Sequence, residues 1–128
     1  MKLTIERLGH LGDAVATGPE GSLFLPGFLP GEDIEGDAEG GFRIVTPSAD
    51  RVRPPCAHAR TCGGCIMQHA ANPFVADWKL GIVQGALAGQ GLTATFRPIL
   101  TSPPQSRRRA TVAAKRTKNG AMIGFHMR

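Results

Sequence analysis

Cys56-Ala57-His58-Ala59-Arg60-Thr61-Cys62-Gly63-Gly64-Cys65 contains every cysteine of the 128-residue chain, spaced Cys-x5-Cys-x2-Cys, with Gln68 and His69 close behind. Three thiolates this close suit a soft inorganic centre, because zinc and iron–sulfur clusters both favour sulfur ligands. Gly63-Gly64 lets the backbone wrap tightly between the last two sulfurs, since glycine tolerates positive φ. The start, Met1-Lys2-Leu3-Thr4-Ile5-Glu6-Arg7, lacks the apolar core of a signal peptide. A cytoplasmic protein is therefore expected, and there clustered cysteines bind metal more often than they pair as disulfides. One disulfide with one free thiol is the plain alternative. No apolar run approaches the roughly 20 residues that a membrane span needs.

The donor set leaves two chemistries open. Zinc takes four ligands, and His69, four positions after Cys65, completes a Cys3His set. His58 is a second candidate. A [4Fe–4S] cluster normally takes four cysteines, and this chain supplies three, Cys56, Cys62 and Cys65. On ligand count alone, zinc leads.

On the N-terminal side, short apolar runs recur about every ten residues between turn signals. They are Leu3-Thr4-Ile5, Ala14-Val15-Ala16, Leu23-Phe24-Leu25, Asp33-Ile34-Glu35 and Phe42-Arg43-Ile44-Val45, separated by Gly18-Pro19, Pro26-Gly27 and Pro30-Gly31. This pattern predicts a small all-β barrel over residues 1–53. Glu32, Asp33, Glu35, Asp37 and Glu39 make one end acidic and read as a solvated loop.

Residues 54–128 form a second unit with a different charge. Residues 1–50 carry three basic and nine acidic side chains (net −6), and residues 51–128 carry twelve and one (net +11). Such asymmetry points the second unit at a polyanion such as nucleic acid. Pro54-Pro55 stiffens the approach to the cysteines. Asn72-Pro73 predicts a helix start with Asn72 as the cap. Val75, Trp78, Ile82 and Ala86 recur at helical spacing, and the helix should end before Gly89-Gln90-Gly91. Thr93-Ala94-Thr95-Phe96 reads as a strand. Asn119-Gly120 predicts a two-residue type I′ hairpin pairing Lys118 with Ala121, Ala114 with Phe125 and Val112 with Met127. Ala110, Val112, Ala114, Ile123, Phe125 and Met127 would then share an apolar face, opposite Arg107, Arg109, Lys115, His126 and Arg128. With Arg108 completing the Arg107-Arg108-Arg109 run, this basic face is the candidate nucleic-acid contact, the alternative being an ordinary solvated strand face. The fold class is thus mainly β with α/β elements: a small β-barrel, a cysteine loop, one helix and the start of an antiparallel sheet.

Two resemblances sharpen this reading. Leu8-Gly9-x-x-Gly12, Phe24-Leu25-Pro26-Gly27 and Leu29-Pro30-Gly31-Glu32 resemble a TRAM domain, an OB-like barrel found on RNA-modifying enzymes. Arg51-Val52-x-Pro54-x-Cys56, Cys62-Gly63-Gly64-Cys65-x-x-Gln68-His69 and Trp78-Lys79 resemble the S-adenosylmethionine-dependent RNA uracil-5-methyltransferases, as do Ser106-Arg107-Arg108-Arg109-Ala110-Thr111 and Gly124-Phe125-His126. The resemblance covers essentially the whole chain and departs at Phe74-Val75. It implies that Cys56, Cys62 and Cys65 hold a [4Fe–4S] cluster, with a fourth cysteine further along. It also implies a C-terminal catalytic domain that binds S-adenosylmethionine and attacks uracil C6 with another cysteine. The chain is then expected to be a monomeric N-terminal third, inactive alone, of an enzyme acting on rRNA or tRNA. The alternatives are a stand-alone zinc-bearing RNA-binding module and a redox centre.

Overall fold

The computed structural model describes residues 1–128. Six strands come first: β1 Lys2–Thr4, β2 Arg7–Leu8, β3 Ala14–Gly18, β4 Gly21–Leu25, β5 Asp33–Asp37 and β6 Gly41–Thr46. They form two three-stranded antiparallel sheets, ordered β1-β5-β6 and β2-β3-β4. The chain crosses between sheets at Ile5 and Glu6, whose N–H groups donate to Glu32 O (2.9 Å) and Val15 O (2.9 Å). Alternation turns one side of each strand inward. Ile5, Ala14, Ala16 and Ile34 are buried together, with Leu3, Leu8, Leu25, Phe28, Phe42 and Ile44 around them. Mainly-β architecture in small antiparallel sheets with one helix is therefore as the sequence predicts. β2 is the strand that the alternation did not reveal, because two residues are too short to carry a period.

A second core joins this β-unit to the helical segment. Leu29 packs with Met67 and Ala70, and Leu8, Phe74, Val75 and Trp78 close around them. Backbone pairing runs alongside: Arg51 bridges Ala70, Val52 N–H donates to His69 O (2.9 Å) and Ala71 N–H donates to Asp50 O (2.8 Å). The segment after β6 is thus stitched to the segment before the helix, and the two halves share apolar contacts across residue 53.

α1 spans Asn72–Gly89. Its cap is Ala71 rather than Asn72 and makes no side-chain bond. The bond to Asp50 O holds Ala71 extended, so the helix starts at the next residue, with Pro73 still in the first turn, where its missing N–H costs nothing. The C-terminus closes at Gly91, φ 68°, where Leu92 and Gly91 N–H donate to Leu87 O and Ala88 O (both 2.9 Å). That 6→1 and 5→2 pair is a Schellman motif, which wants glycine at the left-handed position. Residues 93–96 form no strand, because no neighbouring strand pairs with them.

The final hairpin pairs β7 Ala113–Thr117 with β8 Gly120–Gly124. Its register differs by two from the predicted one: Thr117 faces Gly120, Lys115 faces Met122 and Ala114 faces Ile123. A type I′ turn centred on Asn119-Gly120 needs positive φ at both residues, and here only Gly120 has it. The turn is instead Lys118-Asn119, with glycine in the following position. A slip of two residues preserves the faces. The apolar one has no covering layer, since Ile123, Phe125 and Met127 are all exposed.

Candidate metal centre

The cysteine loop is a series of tight turns. Ala59 N–H donates to Cys56 O (3.2 Å), and the N–H groups of Thr61 (3.1 Å) and Cys62 (2.9 Å) donate to His58 O. Gln68 reaches back across the loop, its Oε1 accepting from Cys56 N–H (3.2 Å). Two sulfurs already accept backbone bonds: Cys56 Sγ from His58 N–H (3.4 Å) and Cys62 Sγ from Gly64 N–H (3.3 Å). Such N–H···S contacts tune a centre bound through these sulfurs.

All three cysteines line one cavity of about 540 Å³, together with His58, Gln68, Arg107, Phe125 and Met127 among others, and no carboxylate lines it. No three His, Cys, Asp or Glu side chains converge closely enough to hold a single metal ion. With Zn–S bonds of about 2.3 Å, thiolates on one tetrahedral ion lie only about 3.8 Å apart. The three cysteines line a common cavity instead of closing around a single ion.

His69 does not line that cavity. It is buried in the shared core, and its Nε2 has no partner. Burial first, then the charge of Arg51, pushes its pKa below the ordinary histidine value, against the opposing pull of a Phe28 backbone bond and of Glu32. His58, the second candidate, is the histidine placed on the cavity wall.

Glu32 corrects the reading of the acidic stretch as solvated. It has no exposed surface, and its carboxylate accepts from Leu29 N–H (2.9 Å), Ser48 N–H (3.1 Å) and both Nε and Nη2 of Arg51. Arg51 Nη2 also donates to Gly27 O (2.8 Å). This hub orients the bridge that leads into the cysteine loop. The Leu29-Pro30-Gly31-Glu32 stretch singled Glu32 out by resemblance, but its pairing with Arg51, nineteen residues away, had no local signal.

The C-terminal segment docks on the loop, which the sequence did not reveal. Cys62 bridges Met127. Gly63 N–H donates to His126 O (2.7 Å), and Arg128 N–H donates to Thr61 O (2.9 Å). The candidate RNA contacts Arg107, Arg108, Arg109, Lys115 and Arg128 are all exposed. Arg107 borders the cysteine cavity, and the Arg128 guanidinium donates to Cys65 O (2.7 Å).

The chain is similar in sequence to proteins named as RNA methyltransferases. It is 35% identical to an uncharacterized RNA methyltransferase of Brucella suis biovar 1, over 98% of this chain and 31% of that protein. It is 39% identical to one of Caulobacter vibrioides, over 98% and 32%. More particularly, it is 32% identical to a 23S rRNA (uracil(1939)-C(5))-methyltransferase, RlmD, of Halomonas elongata, over 99% of this chain and 29% of that protein. The chain thus spans about a third of the length of the curated relatives it matches. No protein-family model matches it.

Proposed function

We propose that this chain is the RNA-binding, cluster-bearing portion of an enzyme that transfers a methyl group from S-adenosylmethionine to C5 of a uridine in RNA, with rRNA favoured by the named relatives. The observation that carries the reading is the convergence of Cys56, Cys62 and Cys65 on one carboxylate-free cavity. A [4Fe–4S] cluster binds thiolates on separate irons, so three sulfurs spread around a shared space fit it. A Cys3His zinc site through His69 is disfavoured by His69 lying in the core, and the second reading is a Cys3His zinc site through His58, which lines the cavity. Cys56, Cys62 and Cys65 would hold the cluster, Gln68 would brace the loop, and a fourth ligand would come from elsewhere in the enzyme. The β-unit of residues 1–53 acts as a TRAM-type barrel, and residues 54–128 bring the cluster loop and the basic hairpin.

With all three cysteines facing the cavity, the chain by itself binds RNA without methylating it. Its cations do so through phosphate contacts, each releasing counterions. The test is anisotropy with a labelled single-stranded RNA across a salt series. Replacing Arg107, Arg108 and Arg109 by alanine should weaken binding and reduce the log–log salt slope by about 0.7 for each phosphate no longer neutralised. An unchanged slope would assign the run to a solvated surface.

A further inference from the structure

The hairpin β7–β8 carries Lys115, Arg116 and Lys118 and is entered through Arg107-Arg108-Arg109. Yet neither of its strands packs against any other strand or against α1. Its attachment runs through the cysteine loop. Arg107 lines the cysteine cavity at one end of the segment, and Phe125 and Met127 line it at the other. The hydrogen bonds that tie the tail to the loop all reach residues 61–65: the Cys62–Met127 bridge, Gly63 N–H to His126 O, Arg128 N–H to Thr61 O, and the Arg128 guanidinium to Cys65 O. The fit is close at Gly63, where an added Cβ would lie 2.8 Å from His126 O.

We infer that the cysteine loop is the clasp of the basic hairpin: a filled cavity fixes both ends of residues 107–128 and presents their cations to RNA, and an emptied cavity lets them go. The inference rests on the reading of the loop as cluster-bearing and of the cations as RNA-facing, and it adds that the centre regulates RNA affinity. The physical ground is that a loop held by a bound metal group draws its folding free energy from that binding. Cys56 and Cys65 are exposed, so little apolar packing holds the loop when the group leaves. With the loop loosened, the hairpin keeps its own ladder and loses the hydrogen bonds that hold its tail, and cations on a less firmly held hairpin meet the phosphates at a higher entropic cost.

The experiment compares the chain loaded anaerobically with iron and sulfide against the same chain stripped by a chelator. Both are titrated with a fluorescein-labelled, uridine-rich single-stranded RNA at several salt concentrations, and hydrogen exchange is followed over residues 107–128. Stripping should weaken binding on the order of tenfold, lower the salt slope by about 0.7 for each cation disengaged, and speed exchange at residues 125–128. Phe125→Ala, which leaves the loop backbone untouched, should shift binding the same way. Equal affinity, slope and exchange in loaded and stripped chains would overturn the clasp while leaving the metal reading intact. A chain that takes up neither iron nor sulfide overturns the metal reading, and the clasp with it.

Discussion

Glu32 sits where the β-unit, the Arg51 bridge and the cysteine segment meet, with four donors on one carboxylate. Burial by itself would raise its pKa, but the Arg51 hydrogen bonds, the Leu29 and Ser48 N–H groups and the Arg51 charge together hold it below its ordinary value. A carboxyl depressed on folding adds stability that is present above its unfolded pKa and lost as pH falls through the folded one. Urea midpoints should therefore drop as pH is lowered through and below the ordinary carboxylate range. Glu32→Gln should show a shallower decline there and, at neutral pH, a loss of about 3–5 kcal/mol, because it leaves the Arg51 charge unpaired in a mostly buried site. Parallel pH profiles of wild type and variant would contradict this. At this scale the cysteines were legible in the sequence, because spacing alone groups their sulfurs. Glu32 was not, since nothing local separates one buried acid from its solvated neighbours Asp33, Glu35 and Asp37. His69 was misleading for the same reason: a position four residues after Cys65 fits a ligand, while its burial depends on Leu29 and Arg51, which lie far away in sequence.

At the scale of elements, the alternating runs located five of the six strands of the β-unit, and helical spacing located α1. Boundaries depended on partners. Ala71 became the helix cap because Asp50 bonds it, and residues 93–96 stayed unpaired despite two threonines. In the hairpin, side-chain alternation fixed the faces, but the turn set the register, and Asn119-Gly120 pointed two residues too far along. Gly91→Ala should destabilise the chain by roughly 1 kcal/mol, because alanine resists the left-handed φ of the Schellman turn. Thermal melting reads this directly, and an unchanged midpoint would show that the turn does not constrain the helix end. Trp78→Ala should cost about 2–3 kcal/mol through reduced packing on Leu29, Met67 and Ala70. Unaltered stability in that variant would mean that α1 contributes little to the shared core.

For the molecule as a whole, charge asymmetry separated the two halves but hid how they join. The apolar contacts of Leu8 and Leu29 with Met67, Ala70 and Trp78 lie between residues of long sequence separation, which no local pattern encodes. The docking of residues 125–128 on the cysteine loop was equally invisible, although Gly63 and Gly64 supplied the small residues that make room for it. Together these contacts make the cysteine loop a junction, with the β-unit and α1 on one side and the basic hairpin on the other. Cys62→Ser should then destabilise the second half and loosen the hairpin, because on the proposed reading it removes a ligand of the group that holds the loop against Met127. Faster exchange over residues 107–128, with β3 and β4 unaffected, is the expected pattern.

Iron, zinc and acid-labile sulfide measured on the anaerobically purified chain, beside Cys62→Ser, test the central claim most directly. Iron and sulfide in matching amounts, lost together in the variant, are the predicted result. Stoichiometric zinc without sulfide, or iron and sulfide contents that do not respond to loss of Cys62, would contradict it.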